Sequence, residues 1–371
     1  MEKIIQTLLH KGIELYIDDV QQLKARARKG CMTAQLAGLI KDNKSDLIQY
    51  LKSKVADDVQ AVSTDIEPVG DLDIIPLSSA QMRFWLASES LGQNTLYNML
   101  TAWRVDGPLS LPLVEKSAKA LLQRHEILRT VYVETPSLRQ VVRPLDEVDF
   151  RCSVHDLCLL NTQEQALECQ RLLDAEEQTP FALAQDAMLR IQYIKLSQTQ
   201  GILAFNMHHI AADGWSMEVF TREFYAFYNS LSKNCDVVLD ALSLQYKDYA
   251  VWQNQLMESD GFQLQLDYWL KHLEGCPILH SLETVKERPK VKQGIGKRVV
   301  STLDKSVSND LKKVSTEHNM SPFMLLHGAL VLVLSRHSNS SDVVIGTPVA
   351  NRTKKPLEGL IGCFINTLVL R

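Results

Sequence analysis

Several kinds of protein are ruled out by what this sequence of 371 residues lacks. Cysteine is sparse and unpatterned: seven residues, odd in number, without a CxxC pair. That excludes a disulfide framework and fits reduced thiols in a cytoplasm. No apolar run approaches the ~20 residues that cross a bilayer. The N-terminus is interrupted by Gln6 and Thr7 and has no small-residue cleavage site, so it does not read as a signal peptide. Neither sign of charge dominates: 40 Lys plus Arg against 44 Asp plus Glu leave −4. Bulk electrostatic binding to nucleic acid or to an anionic membrane is therefore not expected. A GxSxG elbow, a GxxxxGK[ST] phosphate loop and an HExxH zinc helix are all missing. Gly294 and Gly296 form a lone pair, read as a turn.

What is present is an ordinary globular composition, 45% hydrophobic and 23% charged, long enough for two or three domains at ~150 residues each. Residues 1–54 read as a unit of helix, hairpin and two short helices. Ile4, Ile5, Leu8 and Leu9 recur at helical spacing. Extended runs at 13–17 and 23–28 join around Asp18, Asp19 and Val20. Thr33 is placed to cap one short helix and Ser45 another. Along the second run, Leu23, Ala25 and Ala27 face one way and Lys24, Arg26 and Arg28 the other. Those bases either solvate an edge strand or receive a partner peptide added to it, and both readings stand. Residues 55–75 hold six acids, no base and no aromatic, the composition of an extended linker.

From Pro76 onward helical stretches are expected at 78–90, 111–126, 163–177, 216–232 and 246–272. Strands are expected at 99–105, 190–196, 202–208 and 343–346. This alternation favours an α/β domain with mixed sheets covered by helices. The run from Ile202 to Met207 is nearly all apolar, as a strand buried on both faces would be. It ends in His208-His209-Ile210-Ala211-Ala212-Asp213-Gly214-Trp215-Ser216. Adjacent histidines at a strand end point to opposite sides, so one of them faces a given cleft. For the same reason they cannot chelate one ion, and no metal is expected. A histidine there can accept a proton from an attacking nucleophile, and helix-start amides can steady an oxyanion. Asp213, if buried, needs an arginine partner. The same residues would serve equally as two core histidines with Asp213 capping the next helix. With no covalent nucleophile in view, direct transfer between two bound substrates is the natural mechanism.

Five blocks in order resemble a nonribosomal peptide synthetase condensation domain. They are Leu77–Leu86 (SxAQxR), Arg124–Thr130 (RHExLRT), His208–Gly214 (HHxxxDG), Tyr246–Trp252 (YxDYAxW) and Ile361–Thr367 (IGxFxNT). Residues 1–54 resemble a TubC-type N-terminal docking domain. The resemblance implies an α/β, two-lobed fold like chloramphenicol acetyltransferase, behind a small αββαα docking unit. The first lobe would span 76–245 and the second 246–371, incomplete because complete members continue past the last block. It implies amide formation between donor and acceptor thioesters carried on partner carrier proteins by phosphopantetheine arms, with no cofactor bound directly. His209 would position the acceptor amine and take its proton, with His208 structural. The Gly214 amide would sit near the reacting carbonyl. Asp213 would form a salt bridge with Arg124, ahead of Arg129 and Arg352 as alternatives. Asn366 would line the tunnel. Lys24, Arg26 and Arg28 would receive the acidic C-terminal tail of an upstream synthetase subunit. Two other readings are a non-catalytic subunit-interaction fragment and a coenzyme A-dependent acyltransferase.

Overall fold

The computed structural model describes residues 4, 7–8, 11, 13–17, 23–27, 33–49, 65–70, 72–91, 95–148, 150, 152–279, 281–282 and 299–371. The chain divides into two compact units, residues 1–66 with 255–268, and residues 67–254 with 269–371.

In the first unit, strands β1 (Ile13–Ile17) and β2 (Leu23–Ala27) form an antiparallel hairpin in which Ile13 faces Ala27. Helix α1 (Ala34–Asp42) follows, with the Thr33 hydroxyl accepting from the Leu36 amide at 3.3 Å. The chain turns helical again over residues 44–49, where the Leu47 amide donates to the Asn43 carbonyl. Ser45 therefore lies inside that turn instead of capping it. Leu8, Ile13 and Leu47 are fully buried. Lys24 and Ala25 are both exposed, so the expected two-faced alternation of β2 is not evident at that pair. Arg28, the turn at 18–20, residues 55–64 of the expected linker, Gly294 and Gly296 lie outside the described residues, as does the side chain of Arg26.

The second unit is built on a four-stranded sheet. Its strands are β3 (Asn98–Asp106), β6 (Cys152–Asp156), β7 (Leu189–Lys195) and β8 (Gln200–His208), in the order β3-β8-β7-β6. The β6–β7 pair is parallel and the other two are antiparallel. Two further ladders are antiparallel pairs: β4 (Thr130–Val133) with β5 (Arg139–Val142), and β9 (Ile345–Val349) with β10 (Asn366–Leu370). The helices are α2 (Ser79–Leu91), α3 (Leu111–Arg124), α4 (Thr162–Glu177), α5 (Gly214–Ser232), α8 (Lys305–Glu317) and α9 (Pro322–Ser338). Two more, α6 (Tyr246–Met257) and α7 (Asp260–His272), each straddle the division between units.

The continuous apolar run of β8 follows from cover on both faces. Phe205 meets Phe220 and Phe224 of α5 at 5.0 Å and Trp103 of β3 at 4.5 Å. On the opposite face Ile194 and Ile202 pack with Cys169 and Leu172 of α4. Asn161 starts α4 with a capping box shared with Glu164.

Where a single helix was expected over 246–272, the chain breaks at Glu258 and Ser259. Their amides reach back three residues, to Gln255 and Leu256, and the Ser259 hydroxyl accepts from the Phe262 amide. The expected strand at 343–346 begins later, at Ile345. Among the described residues no single helix is long and apolar enough to cross a membrane.

Phe205 is the hub of the α5-side core and is fully buried. Phe205→Ala is expected to lower the unfolding free energy by about 3–5 kcal/mol, read from urea denaturation.

Candidate active site

Strand β8 delivers the two histidines to opposite sides, as its pleat requires. His208 stays on the α4 face, buried and edge-on to Phe181 at 5.8 Å. Its Nδ1 accepts from the Ile210 amide at 3.1 Å. Burial, with His209 and Arg190 nearby, pushes its pKa down to about 4. A neutral ring in this position is a structural acceptor.

His209 takes the other side. Its amide donates to the Tyr97 carbonyl at 2.8 Å, and its ring stacks on Phe84 with centroids 4.8 Å apart and planes 15° from parallel. It lines a pocket of about 250 Å³ together with Arg83, Phe84, Tyr97, Ile365 and Thr367. Its Nδ1 is buried and has no hydrogen-bond partner. Helix α2 is held so that Arg83 and Phe84 reach this pocket: buried Gln81 accepts from the Ser78 amide and donates to the Tyr132 hydroxyl.

Asp213 is not aimed at that pocket. It is the N-cap of α5, accepting from the Ser216 amide and hydroxyl at 2.8 and 2.7 Å. Its second oxygen accepts from the Phe364 amide at 3.0 Å. The cation that balances it is Arg352, at 3.2 Å, with both side chains buried. The sequence favours Arg124, but that guanidinium is committed to Glu223 at 3.0 Å and to the Asp240 carbonyl. Arg129 is committed to the carbonyls of Leu122 and Arg143. Arg352 also donates to the carbonyls of Leu357 and Leu360 and lies 4.1 Å over the Phe364 ring.

Residues 361–365 are the other half of the arrangement. They precede β10 and belong to no ladder, so their backbone groups need partners elsewhere. Each of the five finds one in a side chain from the first part of the unit. The Ile361 amide donates to His125 Nδ1 at 3.3 Å, and the Gly362 amide to the Ser216 hydroxyl at 3.0 Å. The Cys363 carbonyl accepts from the Tyr246 hydroxyl at 2.6 Å. The Phe364 amide is on Asp213, and the Ile365 carbonyl accepts from Arg83 at 2.8 Å. His125 can accept at Nδ1 because its Nε2 carries the proton and donates to Glu223 at 2.7 Å. Burial pushes its pKa below the ordinary histidine value. The approach is close enough that a Cβ on Gly362 would lie 2.1 Å from the Tyr246 ring.

The structure places Asn366 and Gly214 as follows. Asn366 does not line the pocket: it is exposed and its side chain accepts from the Thr367 amide, while its neighbours Ile365 and Thr367 face His209. Gly214 opens α5, exposed, with nothing within 4 Å of an added Cβ, so neither packing nor backbone conformation demands a glycine there. The sequence reading missed Phe84, Ser216, Tyr246 and His125. Three of them lie inside the quoted motifs and Ser216 lies two residues beyond one. Among the described residues no cluster of three His, Cys, Asp or Glu could hold a metal.

A family model of the condensation domain matches residues 71–371. The chain belongs to the condensation domain family. Residues 1–53 match the TubC N-terminal docking domain. Over 305 residues the chain is 37% identical to one of the linear gramicidin synthase proteins of Brevibacillus parabrevis, covering 82% of this chain and 6% of the relative. A plipastatin synthase protein of Bacillus subtilis (strain 168) is 36% identical over 307 residues, with 82% and 11% covered. The chain thus spans a small fraction of these relatives. Among solved structures, the X-domain from teicoplanin biosynthesis superposes with a TM-score of 0.73 at 26% identity, covering 82% of this chain and 67% of that one. A condensation domain of the enacyloxin polyketide synthase, at 19% identity, shares the fold with a TM-score of 0.65, covering 99% and 70%.

The state of His208 gives this condensation domain a pH signature. Below pH 6.5 the unfolded chain protonates this residue while the native state refuses the proton until about pH 4. Stability should fall by roughly 3 kcal/mol as pH drops through that window. His208→Asn keeps an acceptor near the Nδ1 position without titrating, so it should flatten that part of the urea-midpoint profile between pH 7 and 4.

Proposed function

We propose that this condensation domain joins a donor acyl or peptidyl thioester to an acceptor aminoacyl thioester, both delivered on the phosphopantetheine arms of carrier proteins. The acceptor nitrogen attacks the donor carbonyl, the C–N bond forms and the C–S bond breaks. The proton released by the nitrogen passes to His209 and from there to the departing thiolate. No cofactor is bound directly in this scheme. The reading rests above all on His209, the one imidazole among the side chains lining its pocket, and imidazole is the side chain that most often serves as general acid and base. Asp213 and Arg352 serve by holding the wall of that pocket, and His208 by holding the turn after β8. The Gly214 amide, at the exposed start of α5, would sit near the reacting carbonyl.

The N-terminal unit, in this proposal, docks the acidic C-terminal tail of an upstream synthetase subunit along β2, using Lys24, Arg26 and Arg28. The compartment is the cytoplasm, where the six described cysteines, none of them bridged, stay reduced.

The experiment supplies a loaded donor carrier bearing an acidic C-terminal tail and a loaded acceptor carrier, and reads acyl transfer by intact mass. Condensed product is expected from the unaltered chain and none from His209→Ala. Lys24→Glu with Arg26→Glu should raise the donor-carrier concentration needed. Equal rates with and without His209 would overturn its role. Tail binding without product would leave only an interaction module, and product from soluble acyl-coenzyme A alone would replace the carrier reading.

A further inference from the structure

A histidine that exchanges a proton with substrate must aim one ring nitrogen, and its orientation is usually set by a hydrogen bond at the other nitrogen. His209 has no such bond, since its Nδ1 is buried without a partner. Asp213 cannot provide one, because its oxygens are committed to Ser216, Arg352 and the Phe364 amide. The main chain of His209 is tied to the Tyr97 carbonyl, but that leaves the side-chain torsions open. What remains is the ring face. Phe84 lies over it at 4.8 Å and 15°, an offset-stacking distance. Phe84 is in turn wedged edge-on against Tyr97 at 4.8 Å and 78°. Its neighbour Arg83 pins α2 to the carbonyl of Ile365, which lines the same pocket.

From this geometry we infer that Phe84 is the positioning residue of His209: the aromatic stack, in place of a hydrogen-bonding carboxylate or carbonyl, sets the plane of the imidazole. The inference rests on the proposed role of His209 and adds to it the group that makes the ring effective. A leucine fills much the same space but has no flat face, so it would keep the pocket and release the ring.

The test compares Phe84→Leu, Phe84→Tyr and His209→Ala in the full chain, with kcat and KM for both carriers and NMR of the His209 ring protons. His209→Ala identifies the ring signals by their loss. Phe84→Leu is expected to lower kcat about 10-fold to 100-fold with both KM values unchanged, and to shift the His209 ring protons downfield as the facing ring current disappears. Phe84→Tyr should keep both kcat and the shifts near wild type. Wild-type kcat in Phe84→Leu, a change confined to KM, or unmoved ring-proton shifts would overturn the inference. Product formation that survives His209→Ala would instead sink the proposed reaction, and NOEs from the His209 ring protons to Tyr97, Ile365 and Thr367, altered or kept in Phe84→Leu, would still decide whether Phe84 orients the imidazole.

Discussion

Five consecutive backbone groups with no ladder to join are the constraint around which this site is organised. Residues 361–365 run through the interior, where an unpaired amide or carbonyl costs about 1–3 kcal/mol. The chain meets that cost with side chains: His125, Ser216, Tyr246, Asp213 and Arg83 each take one residue of the segment. These five residues come from, or directly follow, four short motifs spread over more than 160 positions. The motifs converge on one stretch of main chain.

This arrangement gives the buried ion pair a task apart from the His209 pocket: Asp213 is bound to Arg352 and to the Phe364 amide. A carboxylate and a guanidinium inside a protein gain little net stability over apolar groups of the same volume, while losing one partner of the pair is costly. Asp213 and Arg352 accept that balance and join three elements, the start of α5, the segment before β10 and the loop after β9. The histidine is left to its own pocket wall. Its neighbour His208 is kept neutral by burial.

Much of this was legible in the sequence, for identifiable reasons. The apolar run of β8 marks a strand covered on both faces, and strand alternation alone separates His208 from His209. Thr33 and Asp213 sit where caps belong. The choice among Arg124, Arg129 and Arg352 was not legible, because it turns on Glu223, which faces inward from α5 and claims Arg124. The side of β10 that carries Asn366 depends on strand register, and motif position does not encode register. Phe84 was hidden because α2 carries apolar residues on more than one face, so spacing alone names no partner. Helix α9 went unremarked for a related reason: its run of Leu and Val has no polar face, and periodicity cannot separate a helix from a strand in such a stretch.

Protection of that unladdered segment, measured by residue-resolved amide hydrogen exchange, tests the clamp most directly. If side chains hold it as described, the Ile361, Gly362 and Phe364 amides exchange as slowly as those of central β8. In Ser216→Ala the Gly362 amide should then become fast, while the Phe364 amide, held by Asp213, and β8 stay protected. Rapid exchange of all three amides in the unaltered protein would contradict the claim that this stretch is clamped.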